Sequence, residues 1–181
     1  MKTIFKSAFL VLTFFSASTA LSQDIYRTQN GSMIVSVVSS DTVLTLTTHE
    51  LLVLLDYQNA TFNIKMDKST FYTGNDSLDN KLKKLKFDII SFTGELDIEN
   101  INTNGHPPLD FGVEGIISTN DNSILGSGHL QHLASGGVYS CLLTLTFNIK
   151  ISDLGITIPG FDLKDEIKIE IIQIVLNQEE D

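Results

Sequence analysis

The chain has a single cysteine, Cys141, so no disulfide can form within it and its stability has to come from a packed core. Positive charge is scarce: 12 Lys and Arg stand against 22 Asp and Glu, a net charge of −10, which argues against nucleic acid or an anionic surface as a charge-driven partner. No apolar run reaches the 20 or so residues that a transmembrane helix needs, so no transmembrane segment is expected. Internal repeats, linkers and phosphate-binding glycine loops are also missing. No nucleophile stands beside a base at a useful spacing and no metal-ligand set is complete, so neither an enzyme nor a bound cofactor or metal is expected.

What is present begins with a leader. Lys2 and Lys6 precede an apolar run over residues 8–15, and the small residues Ser16, Ala17, Ser18, Thr19, Ala20 and Ser22 follow. This is the pattern of a secretory signal peptide over residues 1–22, with Ala20 and Ser22 at the positions a signal peptidase reads and Gln23 as the mature start. A lipoprotein would need a cysteine just after that point, and the chain has none there. The expected product is a soluble periplasmic or secreted protein with a net charge of about −12 once Lys2 and Lys6 are removed. Residues 23–181 are one domain's worth of chain, enough to bury about two-thirds of the unfolded surface in one core.

From Ile25 onward, short alternating segments are separated by Gly, Asn and Asp, the grammar of strands and turns. Residues 33–38 read as a strand entered through a turn at Asn30 and Gly31, residues 42–47 as a second, and residues 51–55 as a buried strand. Phe62, Ile64 and Met66 share one face of the next segment while Asn63, Lys65 and Asp67 share the other. The same alternation runs through residues 90–98 and 111–116, and longest through Tyr139, Cys141, Leu143, Leu145, Phe147, Ile149 and Ile151. In the last segment the apolar phase slips by one, from Ile167, Ile169 and Ile171 to Ile172, Ile174 and Leu176, which predicts a β-bulge or a change of environment near Ile171 and Ile172. Roughly eight short-linked strands favour an all-β, antiparallel eight-stranded barrel, with a two-sheet sandwich as the alternative on pattern alone.

Three segments, in this order and spacing, carry a resemblance. The first runs from Asp56 and Tyr57 through Phe62 to Ser69 and Phe71; the second is Ile90-Ser91-Phe92-Thr93-Gly94-Glu95-Leu96; the third runs from Phe147 through Ser152 and Asp153 to Ile156 and Pro159. Together they resemble the YceI-like family, whose members are exported, lipocalin-like barrels. The resemblance implies an interior that holds a long apolar molecule, a polyisoprenoid or quinone-like lipid, with Phe62, Ile64, Met66, Phe92, Leu143, Leu145 and Phe147 along its wall. Each buried CH₂ of such a ligand contributes about 0.8 kcal/mol, so a dry channel needs no polar motif to bind it. A filled barrel serving as a structural or protein-interaction module, in one form a homodimer, is the alternative.

The chain departs from the family's pattern between Phe71 and Phe92. A helical segment with His-Phe and Tyr-Met-Glu-Ser patterns is replaced here by a short insertion in which Leu78, Leu82 and Leu85 have helical spacing and Lys81, Lys83, Lys84 and Lys86 read as a solvated face, with contact to a phosphate head group or an anionic membrane surface as the alternative. His129 and His132, three apart in glycine-rich surroundings, read as surface histidines; His49 and His106 stand alone; and Cys141 reads as a buried, inert thiol. Asp153, Asp162, Asp165 and Glu166 occupy turn-like positions.

Overall fold

Alternation of apolar and polar side chains gives eight strands, and in the computed structural model these close into one antiparallel barrel in simple sequence order, the first strand pairing with the last. The structure describes residues 24–39, 42–85, 88–102, 107–135, 138–158, 161–162 and 166–178. The strands are β1 (Ile25–Ser39), β2 (Thr42–Asp56), β3 (Thr61–Asp67), β4 (Ile89–Leu96), β5 (Leu109–Ile117), β6 (Ser123–Ser135), β7 (Val138–Lys150) and β8 (Glu166–Gln178). Two short helices, α1 (Asp76–Leu82) and α2 (Ile151–Leu154), accompany them. Closure rules out the sandwich and gives each of the eight strands a neighbour on both sides. The signal-peptide residues 1–22, His106 and Lys86 lie outside the described residues.

The first two strands are longer than the sequence pattern predicts. Asn30 and Gly31 do not form a turn; they sit inside β1 at a pair of register shifts, between Thr28 and Gly31 and between Gly31 and Met33. Residues 42–47 and 51–55 likewise belong to the single strand β2. Offset bulges on the two partners let both strands coil without breaking, and this is why a dipeptide typical of hairpins stays extended. The predicted bulge in β8 is present. Gln173 adopts φ 45°, Ile172 and Gln173 both face solvent, and the β7–β8 register shifts between Leu143 and Leu145. Ile167, Ile169 and Ile171 therefore point inward, and after the bulge Ile174 and Leu176 do so.

At one end of the barrel the connections are helical. Asn75 caps α1, its Oδ1 accepting from the Ser77 and Leu78 amides at 3.0 and 3.1 Å, and Leu78 and Leu82 turn inward as their spacing predicts. The segment before α1 covers part of β2 that has no β3 partner: Thr47 and Tyr72 exchange backbone bonds of 2.9 and 3.0 Å. Helix α2 lies across the same end with Ile151 and Leu154 buried beneath it, and it stops at Gly155, whose φ of 61° suits a residue without Cβ. Lys81, Lys83 and Lys84 are exposed on the outer face. Among the described residues no helix is long and apolar enough to cross a membrane.

Candidate ligand-binding lumen

Strand alternation aims one residue in two at the barrel axis, and all seven predicted wall residues lie inside: Phe62, Ile64, Met66, Phe92, Leu143, Leu145 and Phe147 are each 5% exposed or less. The structure brings Ile64, Met66, Phe92 and Phe147 around one small cavity, together with Met33 and Ile171 and beneath Leu154 of α2. Phe62, Leu143 and Leu145 belong to the surrounding core. The cavity measures about 20 Å³ and its lining is wholly apolar. That is room for about one water molecule.

The reason so little space remains is a set of aromatic rings laid over glycines. Gly94 and Gly115 pair across β4 and β5, and Gly126 and Gly128 follow on β6, all four at inward positions. A Cβ added at Gly94 would sit 2.8 Å from Phe62 Cζ, at Gly115 2.7 Å from Phe92 Cε2, at Gly126 2.4 Å from Phe147 Cδ1, and at Gly128 2.3 Å from Phe111 Cε2. Phe92 is the hub: its ring meets Phe62 edge-on at 5.0 Å between centroids and Phe147 at 4.8 Å and 90°. Such T-shaped pairs add about 0.5–1.5 kcal/mol each beyond their burial. On β4 to β6 the middle of the lumen is thus a backbone trough filled by phenyl rings. Sequence reading missed β6 for this reason, because its inward positions carry glycine where an apolar alternation would have marked a strand.

Two polar devices hold α2 over this end. The Asp153 side chain accepts from Lys150 N at 2.9 Å, Asn120 Nδ2 at 2.6 Å and Asn122 Nδ2 at 3.0 Å, and Thr119 Oγ1 donates to the Asp153 carbonyl. Burial pushes the Asp153 carboxyl up, but these donors outweigh it and hold it below the usual carboxylate range. Lys68, buried, donates from Nζ to Asp88 Oδ2 at 2.8 Å and to the Gly155 carbonyl at 3.3 Å. Asp153 thus lies in helix α2 and Glu166 opens strand β8, so neither holds the turn-like position expected of it, because the chain leaves β7 directly into a helix and β8 begins at Glu166; Asp165 lies outside the described residues.

The opposite end of the barrel is different in kind. Tyr26 from β1 and Tyr57 from the β2–β3 turn are fully buried and stacked, with centroids 4.1 Å apart, and the His132 ring meets them edge-on at 6.1 and 5.5 Å. Cys141 lies beside His132, its register partner across β6 and β7, and is fully buried. Burial is the main cause that pushes the Tyr57 hydroxyl above its usual value, and it pushes the Cys141 thiol up to about 12, which makes that thiol inert as expected. His132 is not a surface histidine. One strand position in two points inward, so His132 enters the barrel while His129 faces out and bonds Asp110 Oδ1 through Nδ1 at 2.7 Å. His49, alone in sequence, meets Ser32 Oγ at 2.8 Å and Tyr72 OH at 3.2 Å on the outer face. Among the described residues no three His, Cys, Asp or Glu side chains gather into a metal-holding group.

No family model matches the sequence, and no curated protein matches it. Solved structures do. A polyisoprenoid-binding domain from Saccharophagus degradans implicated in plant cell wall breakdown superposes with a TM-score of 0.62 at 10% identity, over 88% of this chain and 99% of that one. Burkholderia cenocepacia BcnA gives 0.51 at 11% identity, over 82% and 96%. A mutant CJ YceI protein with a monobromobimane guest gives 0.54 at 18% identity, over 79% and 88%. The chain therefore carries the eight-stranded barrel fold of a YceI protein and of a polyisoprenoid-binding domain.

Proposed function

We propose that this protein is an exported, YceI-like binding barrel that takes one long apolar chain, a polyisoprenoid or quinone-like lipid, into its lumen. The observation that carries the reading is the trough: a wholly apolar cavity in a lumen whose central volume is occupied by phenyl rings rather than by the wall on β4 to β6. A ring turned from above Gly115 or Gly126 leaves backbone behind it, so the volume it vacates is continuous with the lumen. An entering isoprenoid exchanges ring–wall contacts for chain–wall contacts and adds about 0.8 kcal/mol for each CH₂ it removes from water. Loading is thus a matter of ring rearrangement with no catalytic step. The fold shared with a polyisoprenoid-binding domain supports the same reading.

The test is lipid extraction and mass analysis of the protein purified without detergent, followed by an offer of isoprenoids and quinones to the delipidated form. A stoichiometric apolar lipid is the expected result. A clean extract with no uptake would refute the reading. Residues 1–22 serve in this proposal as the export signal, and the intact mass of protein recovered from a periplasmic extract should begin at Gln23. One observation favours the second reading, a filled barrel acting as a structural or interaction module: the cavity of about 20 Å³ accepts no lipid without rearrangement. A concentration-dependent mass in light scattering together with an empty extract would mark that case.

A further inference from the structure

The end of the barrel opposite α2 breaks the apolar character of the lumen. Tyr26, Tyr57, His132 and Cys141 come from four separate segments, on β1, the β2–β3 turn, β6 and β7, and converge there, the three rings stacked or edge-on and Cys141 beside His132 in register. We propose that this cluster recognises the polar end of the lumen's ligand, and that this end is a neutral hydrogen-bonding oxygen, an alcohol or a quinone carbonyl, rather than a phosphate ester. The inference rests on the lipid-binding reading above and adds the chemical class of the ligand's end group.

Three features support it. A phenol hydroxyl both donates and accepts, and an imidazole does either, so the cluster matches an alcohol or a carbonyl oxygen equally well. The Tyr57 ring is already held in place by its stack on Tyr26 and by burial, so its hydroxyl is positioned before a ligand oxygen arrives. Two phenols and a thiol carry no positive charge, and Arg27, next in sequence to Tyr26, faces the exposed side of β1. A phosphate brought here would be stripped of water among groups of which the His132 imidazole alone can carry a positive charge, whereas a neutral oxygen loses far less. The exposed lysines, Lys81, Lys83 and Lys84, lie at the other end.

The experiment compares three probes of one chain length on the delipidated protein by native mass spectrometry and dye competition: geranylgeraniol, the matching C20 hydrocarbon, and geranylgeranyl diphosphate. The expected result is that the alcohol binds about tenfold more tightly than the hydrocarbon, the net effect of one hydrogen bond, and also more tightly than the diphosphate. Tyr57→Phe keeps the ring stacked on Tyr26 and is expected to abolish the alcohol's advantage without changing hydrocarbon affinity. Equal binding of alcohol and hydrocarbon, an advantage that survives in Tyr57→Phe, or a preference for the diphosphate would each overturn the inference while the lumen reading stands. If none of the three binds, the lumen reading falls and this one with it. A circular-dichroism melt of Tyr57→Phe confirms that the variant is folded.

Discussion

Replacing Phe92 by alanine tests the packing of the lumen directly. The side chain is 5% exposed and its ring touches both Phe62 and Phe147, so truncation removes the hub of the aromatic column. The wall behind it is Gly115, which has no side chain to move into the gap, and its pairing with Gly94 leaves the backbone little room to shift. Most of the vacated volume, on the order of 100 Å³, should then persist as a void adjoining the existing cavity. Loss of transfer energy and the persistent cavity together predict a cost of about 4 kcal/mol, within the usual range for a buried phenylalanine. For a domain of this size that corresponds to a melting temperature lower by about 10 °C. Denaturant unfolding gives the free energy, and xenon uptake followed by NMR reports the void, since apolar cavities of this order stay dry and bind such probes. A loss below about 1 kcal/mol, or a variant that takes up no xenon, would refute the account of a rigid glycine wall filled by rings.

The glycines themselves should divide by what surrounds them. At Gly128 the three atoms nearest a new Cβ all belong to side chains, those of Phe111 and Leu145, so Gly128→Ala should cost about 2 kcal/mol and lose most of that cost in a Phe111→Leu background. At Gly115 it meets the Thr93 carbonyl at 2.5 Å and the Gly94 Cα at 2.8 Å, so Phe92→Leu should give no such relief; equal coupling in both double-mutant cycles would contradict the geometry. The Lys68–Asp88 pair is asymmetric, with side-chain exposures of 6% and 47%. Asp88→Asn strands a buried ammonium and should cost about 2 kcal/mol, whereas Lys68→Met leaves a hydrated carboxylate and should cost less; the reverse order in denaturant melts would show the burial argument to be wrong. Asp153 titrates lower in the folded state, so its stabilisation is complete above the unfolded-state value of about 3.9 and is lost as pH falls through the folded one. Asp153→Asn should lower the melting temperature at pH 7 and converge with the parent as pH falls through the folded-state value; parallel melting curves across the acid range would rule the latch out.

The strands with two-residue alternation were legible because one face of each is wet: β3, β7 and the bulged β8 follow from residues such as Lys65, Thr146 and Lys168 set between apolar neighbours. The seven wall residues could be placed inside for the same reason. What stayed hidden depends on contacts between segments far apart in sequence. Asn30 and Gly31 favour a turn locally, and only pairing with β2 keeps them extended. Strand β6 fills its inward positions with Gly126 and Gly128 because Phe147 and Phe111 come from other strands to cover them. His132 turns inward because its neighbours in β6 set its parity, and its partners Tyr26 and Tyr57 lie more than seventy residues away in the chain.

Barrel closure has a consequence for the order of folding. The ring is completed by pairs such as Tyr26 with Gln178 and Met33 with Ile171, contacts between segments about 140 to 150 residues apart. Contacts of that sequence separation are slow to form, because the entropy of closing the loop is lost before the native pairing compensates for it. Until β8 is available, β1 and β7 each present a raw edge, so a chain still emerging from a ribosome can assemble hairpins but cannot seal. The last strand to be made is the one that ends its exposure to aggregation.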